Sequence, residues 1–215
     1  MRVEAKICGL TLPGDAAFAA NLGAWRLGVV FASGPRVVTI PQARAIVDSA
    51  SGVPVLGVFG SQPVRTMLET VAAAGLAGVQ LHGEHDADVA RQLRAEGIEV
   101  WRVLPIGPEM DFSSLLATAV RDVDAVLFEA QRDGGSGGKG IAIALDLARA
   151  ARLAALSGRV VLAGGLTADN VGEAIGVVQP DAVDVSSGIE SSPGHKDRDL
   201  LARFLENVRA ARSAD

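Results

Sequence analysis

The sequence predicts an α/β fold, a (β/α)8 barrel forming a single domain over residues 1–215, and three observations predict it. Eight short β-type runs alternate with Ala- and Leu-rich helical patterns, which means parallel βαβ units in the number that closes such a barrel. Hydrophobic residues make up 49% of the chain, ample for a sizeable core. The Gly-rich turns gather after the sixth, seventh and eighth runs, whereas a doubly wound open sheet carries its phosphate turn after the first.

Taken in order, the first strand is expected at Val3–Cys8, where an apolar run stops at Gly9, and a helix follows at Gly14–Leu22. Arg26–Phe31, Val55–Phe59 and Gly78–His82 are the next strands, separated by helices at Gln42–Ser49 and Val64–Ala73. A helix at Asp86–Ala95 leads to strands at Glu99–Leu104 and Ala125–Glu129. The connection between those two opens Ile-Gly-Pro and offers only a weak helix at Ser113–Val120. Helices at Ile143–Ala154 and Ala168–Val177, strands at Val160–Ala163 and Ala182–Ser186, and an amphipathic segment at Arg198–Arg209 complete the alternation.

Composition excludes several classes. A net charge of −5, with Lys and Arg scattered, argues against a nucleic-acid partner. Cys8 is the only cysteine, so there is no internal disulfide framework, and without partner cysteines no zinc or iron–sulfur cluster is expected. His82, His85 and His195 are the only histidines and do not cluster in sequence, so no metal is expected. There is no signal-peptide pattern, and the apolar runs fall short of the ~20 residues a membrane span needs. A cytoplasmic protein without a membrane partner is the expectation.

Alternation along the strands sorts polar from apolar faces. Strand one puts Lys6 and Cys8 together, opposite Ala5 and Ile7; an ammonium beside a thiol favours the thiolate, although a lone cysteine is more often a small buried hydrophobe. Strand four pairs Gln80 with His82, strand five carries Arg102, strand six ends in Glu129, and strand eight pairs Asp184 with Ser186. Polar residues on one parity of five strands, crowded at the carboxyl ends, mark the end where barrel enzymes build their sites. Gly164-Gly165 and Ser186-Ser187-Gly188 follow the last two strands, where barrels commonly hold a phosphate on backbone N–H groups. Gly164-Gly165 alone would read as a tight turn. Gly134–Lys139 lacks the full nucleotide-binding spacing and fits a lid loop better.

These segments resemble the phosphoribosylanthranilate isomerase family of tryptophan biosynthesis over nearly the whole chain. The resemblance is carried by Lys6-Ile7-Cys8-Gly9-Leu10-Thr11, Gly28-Val29-Val30-Phe31, Pro35-Arg36, Gly57-Val58-Phe59 and Val79-Gln80-Leu81-His82-Gly83. It continues through Gly134-Gly135-Ser136-Gly137, Ala163-Gly164-Gly165-Leu166-Thr167 and Ala182-Val183-Asp184-Val185-Ser186-Ser187-Gly188-Ile189-Glu190. It implies a cofactor-free Amadori rearrangement of a phosphoribosylated anthranilate, run by a general acid and a general base from different strands. By resemblance Cys8 is the base, assisted by Lys6, and Arg36 handles the anthranilate carboxylate. Gln80 and His82 lie near the substrate, Asp184 binds near the ribose or holds the geometry, and Gly164, Gly165, Ser186, Ser187 and Gly188 grip phosphate. The partner implied is this small-molecule substrate, with the enzyme a monomer or homodimer.

The chain departs from the family at strand six. The family's acid is an aspartate in a Leu-Leu-Asp context, whereas here Val126-Leu127-Phe128-Glu129 offers a carboxylate one methylene longer. Gly138 is inserted in the following loop, and Gly140–Asp146 replaces an aromatic segment. Glu129 is the expected acid, with Asp133 the alternative. A phosphosugar-binding relative with weakened catalysis and an aldose–ketose isomerase of related specificity are the competing readings.

Overall fold

The computed structural model describes residues 3–108, 110–112, 116, 119–130, 144–155 and 158–211. Eight parallel strands close a barrel in chain order: β1 (Glu4–Ile7), β2 (Arg26–Val30), β3 (Val55–Phe59), β4 (Gly78–Leu81), β5 (Glu99–Ile106), β6 (Ala125–Ala130), β7 (Arg159–Leu162) and β8 (Ala182–Val185). The ring closes where β1 lies beside β8, with Lys6 opposite Asp184. Around it stand, among the described residues, helices α1 (Pro13–Asn21), α2 (Ile40–Ser49), α3 (Val64–Ala74), α4 (Ala87–Ala95), α5 (Leu145–Ala154), α6 (Val171–Val178) and α7 (Arg198–Ala211).

The strand expectations hold to within two residues at every end. The helix expected from Ala168 starts instead at Val171. Asn170 explains the delay: its Oδ1 accepts from the Thr167 N–H at 2.8 Å and its Nδ2 donates to the Gly165 carbonyl at 2.9 Å, holding the intervening residues in a turn. The Ser113–Val120 helix falls largely outside the described residues, and Asp133 and the Gly134–Lys139 loop fall wholly outside them. An antiparallel pair not anticipated from sequence, β9 (Glu190–Ser192) and β10 (His195–Lys196), follows β8.

The strands bury both faces, which is why they read as near-continuous apolar runs. Outward-facing Ile7, Leu27, Val29, Val79, Val126 and Val183 join the helices in the main core. Inward-facing Leu56, Trp101, Val103, Leu127 and Val161 form a second core inside the barrel, with Trp25 against it. This corrects one expectation. Arg102 pairs with the outward Leu81 and Val126 and lies on the outer face of β5, while Trp101 and Val103 face in, so four strands and not five bring polar side chains to the rim. Alternation separates two faces without saying which is inside, and the large indole takes the interior.

The amino-terminal end is locked by a repeated device. Asp124, before β6, accepts from the Val100 N–H of β5 at 2.8 Å and pairs with Arg94 at 3.2 Å. Asp181, before β8, accepts from the Val160 N–H of β7 at 2.8 Å and pairs with Arg152 at 3.6 Å. Between these locks the Trp25 ring stacks on Trp101 with centroids 5.6 Å apart, while the Arg26 and Arg159 guanidinium carbons lie 4.3 and 4.4 Å from the Trp25 centroid. Glu99 accepts from Trp101 Nε1 at 2.7 Å and from Arg26 Nε at 3.2 Å, so the plug is also hydrogen-bonded.

Candidate active site

At the carboxyl end the strands surround a cavity of about 450 Å³, lined by Cys8, Arg36, Gln80, His82, Glu129, Asp184 and Ser186 together with Val30, Val58 and Leu127. A smaller hollow of about 80 Å³ is lined by Gly164, Gly165, Ser186, Ser187 and Gly188, and it shares Glu129, Ala163 and Asp184 with the larger one. Among the described residues expected to act in catalysis or binding, only Lys6 lines neither space; it lies directly beneath Cys8 and is wholly buried.

Lys6 Nζ donates to Asp184 Oδ1 at 2.9 Å and sits 5.6 Å from the Trp101 ring centroid. Burial opposes its charge, yet Asp184 and the Cys8 sulfur outweigh that and hold its pKa above the ordinary lysine value. Cys8 goes against the sequence expectation. Burial pushes its thiol up, Asp184 adds to the rise, and Lys6, already engaged by Asp184, offsets only part of it. Before substrate enters, the favoured species is therefore the thiol.

Gly28 of β2 is what gives this pair room. A Cβ there would stand 2.9 Å from Cys8 Sγ and 3.1 Å from Lys6 Nζ. Across the cavity, His82 Nδ1 lies 4.0 Å from Glu129 Oε2, both side chains being about four-fifths buried (17% and 19% exposed). The Gln80 side chain is buried, and its Oε1 has no hydrogen-bond partner among the described residues. An unpaired buried amide oxygen is costly, and this one belongs to a side chain that lines the cavity. Gly188 packs its backbone on the Leu166 carbonyl where no side chain could fit, seating the β8 loop against the β7 loop.

Arg36 is not a solvated loop charge. Its Nε and Nη2 clasp Glu190, which also accepts from Lys196. Sequence reasoning gave no role to Glu190, although it ends a quoted motif, and missed Gly28 and Lys196 as site residues. Gly28 could have been found from its parity beside strand one; Lys196 sits on a two-residue strand that leaves no periodic signal.

The model of the N-(5'phosphoribosyl)anthranilate (PRA) isomerase family matches residues 5–207. The N-(5'-phosphoribosyl)anthranilate isomerase of Halorhodospira halophila is 39% identical, over 97% of this chain and 97% of its own. Among solved structures, the phosphoribosyl anthranilate isomerase of Thermotoga maritima superposes with a TM-score of 0.85 at 34% identity, covering 97% of this chain and 99% of that one. A phosphoribosyl anthranilate isomerase in complex with reduced 1-(o-carboxyphenylamino)-1-deoxyribulose 5-phosphate does so at 0.82 and 33%, over the same shares.

Proposed function

Because this chain belongs to the N-(5'-phosphoribosyl)anthranilate isomerase family, we propose that Cys8 is the general base and Glu129 the general acid of its reaction. The enzyme rearranges N-(5-phosphoribosyl)anthranilate to the 1-deoxyribulose 5-phosphate ketosamine, a step of tryptophan biosynthesis. The reaction starts with Glu129 protonated and Cys8 ionised. Glu129 gives its proton to the furanose oxygen, the ring C–O bond breaks, and the nitrogen lone pair forms an iminium at C1. The Cys8 thiolate then takes the C2 proton, and the C–H electrons form the enolamine double bond. Cys8 then returns its proton at C1 while the Glu129 carboxylate takes the C2 hydroxyl proton, so the ketone forms and both the base and the acid are restored.

The thiolate, a minor species in the empty site, acts only once the iminium has formed, and that cation beside the sulfur then offsets the cost of burial. Arg36 takes the anthranilate carboxylate, Val30, Val58 and Leu127 flank the aromatic ring, and Gln80 accepts from a substrate hydroxyl or N–H. His82 stands by Glu129, and Asp184 fixes Lys6 under the sulfur. Gly164, Gly165, Ser186, Ser187 and Gly188 hold the phosphate in the smaller hollow. The single-domain organisation is supported by a barrel whose closing strands come from both ends of the chain. Among the described residues no helix is long and apolar enough to cross a membrane, in keeping with a cytoplasmic location.

The observation that carries this assignment is that Cys8 and Glu129, from two non-adjacent strands, line one cavity that continues into the glycine-rich hollow. Glu129→Gln should abolish turnover, followed as loss of anthranilate fluorescence, while product-analogue binding stays nearly intact. If Asp133→Asn does this and Glu129→Gln does not, the acid is misassigned. A relative that only bound phosphosugars would leave the fluorescence of the substrate unchanged.

A further inference from the structure

The loop after β2 and the hairpin after β8 meet beside the cavity in a cluster of three charges. Arg36 Nε donates to Glu190 Oε1 at 2.8 Å and Oε2 at 3.1 Å, and Nη2 donates to Oε2 at 2.6 Å. Lys196 Nζ donates to Glu190 Oε1 at 2.7 Å and to the Ser186 carbonyl at 3.0 Å. The three side chains are 11%, 4% and 0% exposed, so water screens them little. The backbone N–H of Lys196 is itself held by Asp15 Oδ2 at 3.1 Å. Gly9, at φ +70°, leaves room for the assembly, since a Cβ there would lie 2.6 Å from both Arg36 Cδ and Ser186 Oγ.

The charge count is informative. Arg36 and Glu190 alone would cancel, and a neutral, bidentate pair has little pull on a further anion. Lys196 returns one positive charge to the cluster. The side-on clasp uses Nε and Nη2, leaving Arg36 Nη1 outside the pair on a residue that lines the cavity. We propose that Lys196 is a positioning and specificity-determining residue for the substrate carboxylate: by sharing Glu190 with Arg36 it fixes the guanidinium plane at the cavity wall and supplies the charge that lets this guanidinium take a second carboxylate. Through the Ser186 carbonyl the same ammonium braces the loop assigned to phosphate, so the two anionic ends of the substrate are referred to one group. The assignment rests on the role given to Arg36 above, and the test separates the two.

Two reduced product analogues, one bearing the 2-carboxyphenylamino group and one a plain phenylamino group, are compared as inhibitors; the ratio of their inhibition constants reads carboxylate recognition alone. Arg36→Met should erase the ratio. Lys196→Met should cut it about tenfold, the order expected for one charge-assisted contact, and Lys196→Arg should keep most of it. Glu190→Gln with Lys196→Met restores the count of one positive charge and should recover the ratio relative to Lys196→Met, a result that a purely structural role for Lys196 does not produce. If Lys196→Met does not fold, Lys196→Gln, which can still donate to both oxygens, carries the same expectation. A wild-type ratio in Arg36→Met overturns the reading of Arg36. Loss of the ratio in Arg36→Met with a wild-type ratio in the Lys196 variants overturns the role of Lys196 alone, as does a double variant no better than the single.

Discussion

The two ends of this barrel use the same residue types to opposite effect. At the amino-terminal end Asp124, Asp181 and Glu99 hold backbone or indole N–H groups, and the arginines near them are paired or lie over a ring. At the carboxyl end the Gln80 amide oxygen is buried without a partner among the described residues, a thiol is held against its ionised form, and a lysine is shut away from water. Polar groups satisfied within the protein stabilise a fold; polar groups left for a ligand make a site and carry its desolvation cost. The indole of Trp101 is the divide, with Trp25 stacked below it and Lys6 above.

The largest effects should come from breaking the upper end. Cys8→Ala should lower kcat by about 10²–10⁴-fold, with little change in the unfolding midpoint. Asp184→Asn sharpens the comparison, because Asp184 lines the cavity yet neutralises a wholly buried lysine. Its loss should cost stability on the order of 3–5 kcal/mol as well as turnover, measurable by urea unfolding. Asp181→Ala, at the lower end, should cost about 1–2 kcal/mol, since its hydrogen bond is partly open to water, and leave kcat as it was. A fall in kcat there would erase the distinction between the ends.

The mildest probe is pH. The Cys8 thiol lies above its ordinary pKa, so the ionised fraction at neutrality is small and grows as pH climbs; kcat should rise into the alkaline range. Lys196 moves the other way. Burial pushes its pKa down, with Glu190 opposing, so it loses charge earlier than an exposed lysine and KM should rise at the alkaline end. A kcat that levels off below the ordinary thiol range would contradict the first expectation.

Strand existence was plain in the sequence, since strands covered on both faces are unbroken apolar runs, and the Lys6, Gln80 and Asp184 parities point where alternation suggested. Arg102 failed because a one-residue slip turns a strand over and nothing local distinguishes inside from outside. The direction of the Cys8 shift was hidden because a neighbouring ammonium is visible in sequence and burial is not. Glu190 and Lys196 work only through a hairpin of three- and two-residue strands, too short for any period to show.

The seam between the first and last strands has a consequence for synthesis. Lys6 and its counter-ion are separated by 178 positions, and the sulfur above them is walled by a loop that follows the final strand. A growing chain leaving the ribosome therefore holds an unpaired lysine until almost everything has been translated. No truncated product or isolated half should show even partial turnover, and activity should switch on only when the last strand docks.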